Sequence, residues 1–239
     1  MMKLHLLGIN GPFPESGGAT SGYLLEADNC LFQFDLGSGV LAQLTALTAP
    51  ESLSGLFLSH WHFDHASDLP VLMYRLEALK KVLPVWAPAD EHSDLFRLVS
   101  ACPCFSLTTV RPGDQLVFDN TVVRVTSARH PVPAVGYRVE CGGRAFGYTG
   151  DTNTLTSLSE DFCGCGLLLA DGLFPEENWA EEKPHLSAAL AARLAEEAGC
   201  GKLVVTHLNP VYPPELLLAQ ARPVHADTVI ARAGDVWEL

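Results

Sequence analysis

Three histidines and one aspartate lie within six residues of this chain, in the segment His60-Trp61-His62-Phe63-Asp64-His65. The apolar run 56–58 comes directly before it and predicts a short buried strand. In the loop expected after that strand, alternate residues can face one side, so His60 and His62 can share one cation while Asp64 and His65 turn to a second. Imidazole and carboxylate groups suit Zn²⁺, and similar shells hold Mn²⁺ or Fe. The segment therefore predicts a metal site.

Three further candidate ligands each follow a predicted strand. His130 comes after strand 121–128, Asp151 after strand 144–148, and His207 after strand 202–206. Strand ends that meet at one edge of a sheet bring distant residues together, so we expect these side chains to join the first segment. The predicted metal ligands are His60, His62, Asp64, His65, His130, Asp151 and His207.

The elements that must position these residues alternate between strands and helices at both ends of the chain. In the first part we predict strands 3–7, 20–26, 31–35 and 83–87 and helices 40–47, 68–79 and 90–100. Residues 105–149 are rich in Val, Thr, Tyr and Phe between turn signals, which predicts an antiparallel meander. The last part predicts strands 167–170 and 202–206 and helices 187–198 and 214–221. This order indicates an α/β protein, with residues 1–239 as a single domain of two face-to-face sheets and helices outside.

The composition is that of a globular protein, with 48% hydrophobic residues and a formal net charge of −13. No stretch approaches the roughly 20 apolar residues of a membrane helix. The residues 1–7 lack the architecture of a signal peptide, so we expect a cytoplasmic protein without a membrane partner. Because polyanion binders normally present a basic surface, the acidic chain disfavours a large RNA partner.

Seven cysteines are present, and an odd number without a signal peptide argues against a disulfide framework. The pairs Cys102-Pro103-Cys104 and Cys163-Gly164-Cys165 could join as a four-thiolate metal site. A spacing of one residue is unusual for such sites. We therefore expect free, largely buried thiols.

The segment His60–His65 matches the H-x-H-x-D-H signature of the metallo-β-lactamase superfamily, and His130, Asp151 and His207 follow in the order of its remaining ligand motifs. The chain thus resembles this superfamily over nearly its whole length. The resemblance implies the four-layer αβ/βα sandwich and a dinuclear metal-dependent hydrolase. One ion would be held by His60, His62 and His130 and the other by Asp64, His65 and His207. Asp151 would bridge them together with a water that acts as a hydroxide nucleophile.

Two further segments resemble the ribonuclease Z-like phosphodiesterase branch, namely residues 130–138 (HPVPAVGYR) and 183–189 (KPHLSAA). In that branch a histidine at the start of a helix assists the phosphoryl transition state, which implies this role for His185. Ser187 is a plausible cap of the helix, and Asp171 could orient His185. The predicted catalytic residues are therefore Asp64 and His185, although His185 could also be only a helix-entry residue.

The interval between His130 and Asp151 departs from ribonuclease Z proper, which inserts there a long arm that grips transfer RNA. Here the two residues are only 21 positions apart. The sequence therefore favours hydrolysis of small, cyclic nucleotide-like phosphodiesters, with Arg138 or Ser187 as further phosphate contacts. The alternatives are a ribonuclease Z-like RNA 3′-processing endonuclease and a lactone or ester hydrolase. A homodimer is expected only by analogy with similar proteins.

Overall fold

A computed structural model describes all 239 residues and contains two seven-stranded mixed sheets. The strands of the first sheet, in spatial order, are β14 (Val236–Glu238), β1 (Met2–Gly8), β2 (Gly22–Ala27), β3 (Cys30–Phe34), β4 (Gly55–Phe57), β5 (Leu83–Ala87) and β6 (Phe105–Thr109). Those of the second are β13 (Thr228–Ile230), β12 (Lys202–Thr206), β11 (Leu167–Asp171), β10 (Arg144–Tyr148), β9 (Val135–Cys141), β8 (Thr121–Ser127) and β7 (Gln115–Phe118).

Seven helices accompany the sheets: α1 (Val40–Leu47), α2 (Phe63–Ala66), α3 (Leu69–Leu79), α4 (Asp94–Ala101), α5 (Leu158–Asp161), α6 (Ala188–Glu197) and α7 (Pro214–Ala221). Alternate residues of a strand face opposite sides of its sheet. Thus Tyr23 and Leu25 join the apolar cluster that contains residues of both sheets, whereas Leu24 joins a second cluster with α1, α3 and α4. Residues of α6 and α7 pack against the other sheet. The predicted four-layer α/β sandwich is confirmed. None of the helices combines the length and apolar character needed to cross a bilayer.

Aromatic rings fill the space between the sheets. Phe34 is fully buried, and its ring centroid lies 5.3 Å from that of Phe57 within its own sheet. Across the interface it lies 5.6 Å from Tyr137 and 5.9 Å from Phe146. These separations suit favourable aromatic pairs, and the large area that they bury holds the two sheets together.

Three sequence predictions about local structure differ from the observed elements. Residues 105–109 do not begin the meander, because β6 pairs in parallel with β5 and belongs to the first sheet. The sequence showed a β-rich run but not the partner of its first strand. The second error concerns the loop predicted for His60–His65, since Phe63–Ala66 forms the short helix α2. The predicted helix 90–100 also begins later, at Asp94, where the Ser93 hydroxyl accepts a hydrogen bond from the Phe96 amide.

The two closely spaced cysteine pairs lie in different parts of the structure. Cys102 and Cys104 belong to the apolar cluster outside the first sheet. Cys165 belongs to the larger apolar cluster, which also includes residues of α6 and α7, and Cys163 is exposed. The four thiols therefore do not form one site.

We predict that Phe34→Ala lowers the free energy of unfolding by about 3–5 kcal/mol, because it leaves a cavity among packed rings. Urea unfolding followed by circular dichroism measures the change. Phe13→Ala serves as the matched control, since Phe13 is 47% exposed and its loss is expected to cost less than about 0.5 kcal/mol. Equal losses in the two variants would contradict a core centred on Phe34.

Candidate metal centre

The predicted site residues converge at one edge of the sandwich. Strands β10, β11 and β12 run parallel, so their carboxyl ends place Asp151, Asp171 and His207 side by side. His130 follows β8, which runs in the same direction as β10 because both are antiparallel to β9. The segment that begins at His60 follows β4 of the first sheet. Both sheets therefore contribute side chains to the same place.

One group of possible ligands consists of His60, His62 and His130. The Nε2 atom of His60 lies 2.9 Å from Nδ1 of His62, and Nε2 of His130 lies 3.2 Å from that same atom. His130 presents Nε2 because its Nδ1 donates to the carbonyl oxygen of Pro184 at 3.2 Å, which fixes the tautomer. Three imidazole nitrogens thus meet at one point.

A second group consists of Asp64, His65, Asp151 and His207, and Asp151 lies at its centre. The Oδ2 atom of Asp151 is 3.2 Å from Nε2 of His65 and 3.7 Å from Nε2 of His60, so this carboxylate reaches both groups. Its Oδ1 atom is 3.4 Å from Nδ1 of His207. On the far side, Oδ2 of Asp64 is 3.6 Å from Nε2 of His65 and 3.8 Å from Nε2 of His207.

A buried carboxylate behind the site, that of Asp35, fixes the orientation of two of these histidines. Its Oδ2 atom accepts hydrogen bonds from Nδ1 of His65 at 2.8 Å and from the Ser59 hydroxyl at 2.8 Å. Because the Ser59 hydroxyl donates to Asp35, it accepts from Nδ1 of His60 at 3.0 Å. The Tyr148 hydroxyl of the other sheet also donates to Asp35, at 2.5 Å. Both imidazoles therefore turn Nε2 toward the site.

The side chains present fit a bound cation. Nε2 of His65, Nε2 of His207 and Oδ1 of Asp151 are buried without a hydrogen-bond partner. Buried polar atoms are costly when unpaired, and these three point into a single cluster of nitrogen and carboxylate donors. With Nδ1 of His65 donating to Asp35, its Nε2 lone pair faces two carboxylates, an arrangement that only a positive charge can make favourable. A metal ion or a proton can supply that charge.

The electrostatics of the cluster are dominated by burial and by close opposite charges. Burial lowers the pKa of His60 and His207 well below the ordinary value and that of His130 to about 4. Burial would raise the pKa of Asp151, but the imidazoles of His207, His65 and His185 outweigh it and lower that pKa well below its usual range. For His65, burial also opposes the charged form, but the carboxylates of Asp151, Asp64 and Asp35 outweigh it and raise the pKa of that imidazole well above its ordinary value. Neutral His60, His130 and His207 beside an ionised Asp151 suit metal binding, whereas His65 must give up its proton when a cation binds.

His185 lies beside this cluster, at the end of the loop that leads into α6. Its Nδ1 atom is 2.8 Å from Oδ2 of Asp171 and 3.8 Å from Oδ2 of Asp151. Burial opposes the charged imidazole, yet the two carboxylates raise the pKa of His185 to about 9, and burial raises the pKa of Asp171 to about 6. Asp171 is held in place by the backbone amides of Thr152 and Leu173. The predicted cap is also present, since the Ser187 hydroxyl accepts from the Leu190 amide.

The structure brings all eight predicted site residues together, whereas the two suggested phosphate contacts lie elsewhere. The Arg138 guanidinium binds Glu140 and the carbonyl oxygen of Cys163, and the Ser187 hydroxyl donates to Glu176. Sequence reasoning missed the supporting roles of Asp35 and Ser59. The sequence did contain a signal for both, because Asp35 and Ser59 each follow a run of apolar strand residues, as several of the ligands do.

Gly11 is a further supporting residue that the sequence did not reveal. A Cβ atom there would lie 2.0 Å from Cε1 of His207, so only glycine allows the loop to pack on that ring. His207 itself adopts a positive φ of 56° and is bound through Nδ1 to the Ser21 hydroxyl at 3.0 Å. The Gly/Pro-rich loop of residues 10–18 therefore helps to position His207.

The chain is similar to known proteins over nearly its whole length. A family model described as "Beta-lactamase superfamily domain" matches residues 29–208. The probable metallo-hydrolase YhfI of Bacillus subtilis is 28% identical over 244 residues, which cover 99% of this chain and 100% of that protein. Its crystal structure gives a TM-score of 0.92 over 99% of this chain and 98% of that chain. Ribonuclease Z of Methanosarcina acetivorans is 28% identical over 303 residues, covering 100% of this chain and 98% of that protein. The human short-form tRNase Z shares the fold, with 18% identity and a TM-score of 0.80 over 99% of this chain and 98% of that chain.

We predict that Asp35→Asn weakens metal binding about 10- to 100-fold. A side-chain amide in place of the carboxylate does not fix the tautomers of His65 and His60 as the carboxylate does. Competition with a chromophoric chelator measures the affinity, and circular dichroism checks the fold. Asp161→Asn is the matched control, since Asp161 lies outside the cluster and accepts from the Ser127 amide. Unchanged affinity in a folded Asp35→Asn protein would show that Asp35 does not orient the ligands.

Proposed function

This chain belongs to the beta-lactamase superfamily and is a metal-dependent hydrolase, and we propose that it hydrolyses small anionic phosphodiesters. The observation that carries the proposal is the His185–Asp171 pair, whose Nδ1–Oδ2 distance is 2.8 Å, placed against the metal-ligand cluster. Hydrolysis of an unactivated ester of phosphoric acid needs a nucleophile, positive charge at phosphorus and a proton for the leaving oxygen. The cluster and His185 together offer these functions.

The residues that would hold two divalent cations divide as the geometry groups them. His60, His62 and His130 would bind one ion, Asp64, His65 and His207 the other, and the central Asp151 would contact both. Five imidazoles and two carboxylates favour Zn²⁺, with Mn²⁺ or Fe as alternatives. Such ions supply the charge that makes water nucleophilic at neutral pH and that stabilises developing negative charge.

The charge of the assembled site favours an anionic substrate. Two carboxylates, those of Asp64 and Asp151, do not neutralise two divalent cations, and the five histidines are neutral as ligands. His185 adds a protonated imidazole whose Nδ1 is held by Asp171, so its Nε2 is the atom able to face a phosphate oxygen or the leaving group. We assign His185 the role of proton donor and Asp171 the role of a positioning residue.

A small substrate is inferred from the segments of ribonuclease Z that have no counterpart in this chain. The 303 positions aligned with ribonuclease Z exceed the 239 residues of this chain, so at least 64 of them have no counterpart here, whereas the alignment with YhfI spans only 244. Between His130 and Asp151 the structure has only β9 and β10, joined at Gly142-Gly143. Together with the net charge of −13, this short hairpin favours a small substrate over transfer RNA.

A ribonuclease Z-like endonuclease is the second candidate, favoured by relatives of that name that match the whole chain. A phosphodiester panel separates the candidates. Protein loaded with Zn²⁺ or Mn²⁺ is assayed with bis-p-nitrophenyl phosphate, with 2′,3′- and 3′,5′-cyclic nucleotides, with precursor transfer RNA, and with lactones and esters. Cleavage of the small phosphodiesters alone is the expected result. Preferred cleavage of precursor transfer RNA supports the second candidate, and activity only on esters or lactones overturns both. A cytoplasmic location and a homodimer stay predictions.

We predict that His185→Ala lowers kcat for a 2′,3′-cyclic nucleotide about 10²- to 10⁴-fold while the protein retains its metal, because the substitution removes the proton donor for the alkoxide leaving group and not a ligand. Turnover and bound metal are measured on the same preparation. His5→Ala is the control, since His5 is paired with Glu26 on β1 and β2, away from the cluster. Loss of metal together with turnover would instead identify His185 as a ligand.

A further inference from the structure

An exposed aromatic ring lies in the middle of the ligand segment. Phe63 is the first residue of α2, between His62 and Asp64, and it is 69% exposed. Its position is fixed by its neighbours, because those two side chains turn into the ligand cluster. The ring takes no part in either apolar cluster of the fold, so core packing does not explain it.

A cavity of about 390 Å³ opens beside this ring and reaches the metal centre. His62 and Phe63 form one wall, and the stretch Pro131–Pro133, which directly follows His130, forms another. Trp61 also lines the cavity and is rigidly held, since its Nε1 donates to the carbonyl oxygen of Pro88 at 2.7 Å and its ring meets Phe96 edge-on at 5.4 Å. A substrate whose phosphate lies on the ligands would therefore extend one of its ester groups into this cavity.

The charged side chains around the cavity disfavour a second phosphate. No lysine or arginine lines it, whereas Asp90 and Asp94 both do. The Asp90 carboxylate is buried and accepts from the His92 amide at 3.1 Å, which keeps it on the cavity wall. Negative groups would be repelled there, and an uncharged group with hydrogen-bond donors would be attracted. The negatively charged backbone of a nucleic acid, which would extend beyond the bound phosphate, would be repelled by this wall.

The volume and the apolar walls suit one ring system. Small-molecule sites span about 300–1,000 Å³ and are lined mainly by apolar and aromatic groups, so this cavity is at the small end. Planar rings stack well on aromatic and proline faces. We propose that the cavity binds an uncharged, planar heteroaromatic ring of the substrate, such as a nucleobase, and that Phe63 is its stacking partner. The inference rests on the proposed phosphodiesterase function and narrows its substrates to diesters that carry one such ring.

The test compares two ligands that differ only in the base. Dissociation constants of adenosine 5′-monophosphate and ribose 5-phosphate are measured by calorimetry on the metal-loaded protein. We expect the ligand with the base to bind about tenfold more tightly, and Phe63→Ala to bring the two constants within about twofold of each other. Phe63→Tyr should retain the tenfold difference between the two ligands, because it keeps an aromatic ring at this position.

Tyr74→Ala is the matched control, because Tyr74 is 68% exposed on α3 and does not line the cavity. It should keep the tenfold preference. A preference that is absent in the unmodified protein, or that survives Phe63→Ala, overturns the inference even if phosphodiesters are cleaved. A preference that depends on Phe63 in a protein that cleaves no phosphodiester upholds the ring-binding cavity and overturns the proposed function.

Discussion

The hydrogen bonds of Asp35 are the interaction on which the site depends. A carboxylate that is fully buried must be satisfied by donors, and here the donors are the Ser59 amide and hydroxyl, His65 and Tyr148. Each donor is thereby fixed in orientation. Since Ser59 in turn fixes His60, one carboxylate determines how an imidazole of each ligand group presents its lone pair. The positive φ of 53° at Asp35 shows that the backbone is bent to allow this.

The fold supplies what this arrangement needs, because the carboxyl ends of strands from both sheets meet at one edge. Hydroxyl groups connect the sheets there: Tyr148 donates to Asp35, Tyr23 bonds Thr206 at 2.8 Å, and Ser21 bonds His207. Below them the aromatic pairs around Phe34 fill the interface. The polar contacts at the edge therefore fix the orientation of the ligand side chains, and the apolar contacts beneath it hold the two sheets at a constant distance.

Much of this site could be predicted from the sequence, because its ligands are chemically unusual residues placed directly after apolar strands. His130, Asp151 and His207 could be found in this way without knowledge of the pairing. The short helix α2 could not, since four residues show no helical period. The pairing of β6 with β5 could not be predicted for a similar reason, because the residue pattern of a strand does not specify which strand lies beside it. Asp35 was predicted only as the last residue of a strand, and the exposure of Phe63 depends on surroundings that no local pattern contains.

The participation of both sheets in the ligand cluster has a consequence for how the protein is made. Residues 60 and 207 are distant in sequence, so the cluster completes only after the two halves of the chain have docked, which makes it a late event in folding. Any cation that binds only the completed cluster stabilises the docked state in proportion to the logarithm of its free concentration. A protein short of metal therefore populates the undocked state more often and is more exposed to proteolysis.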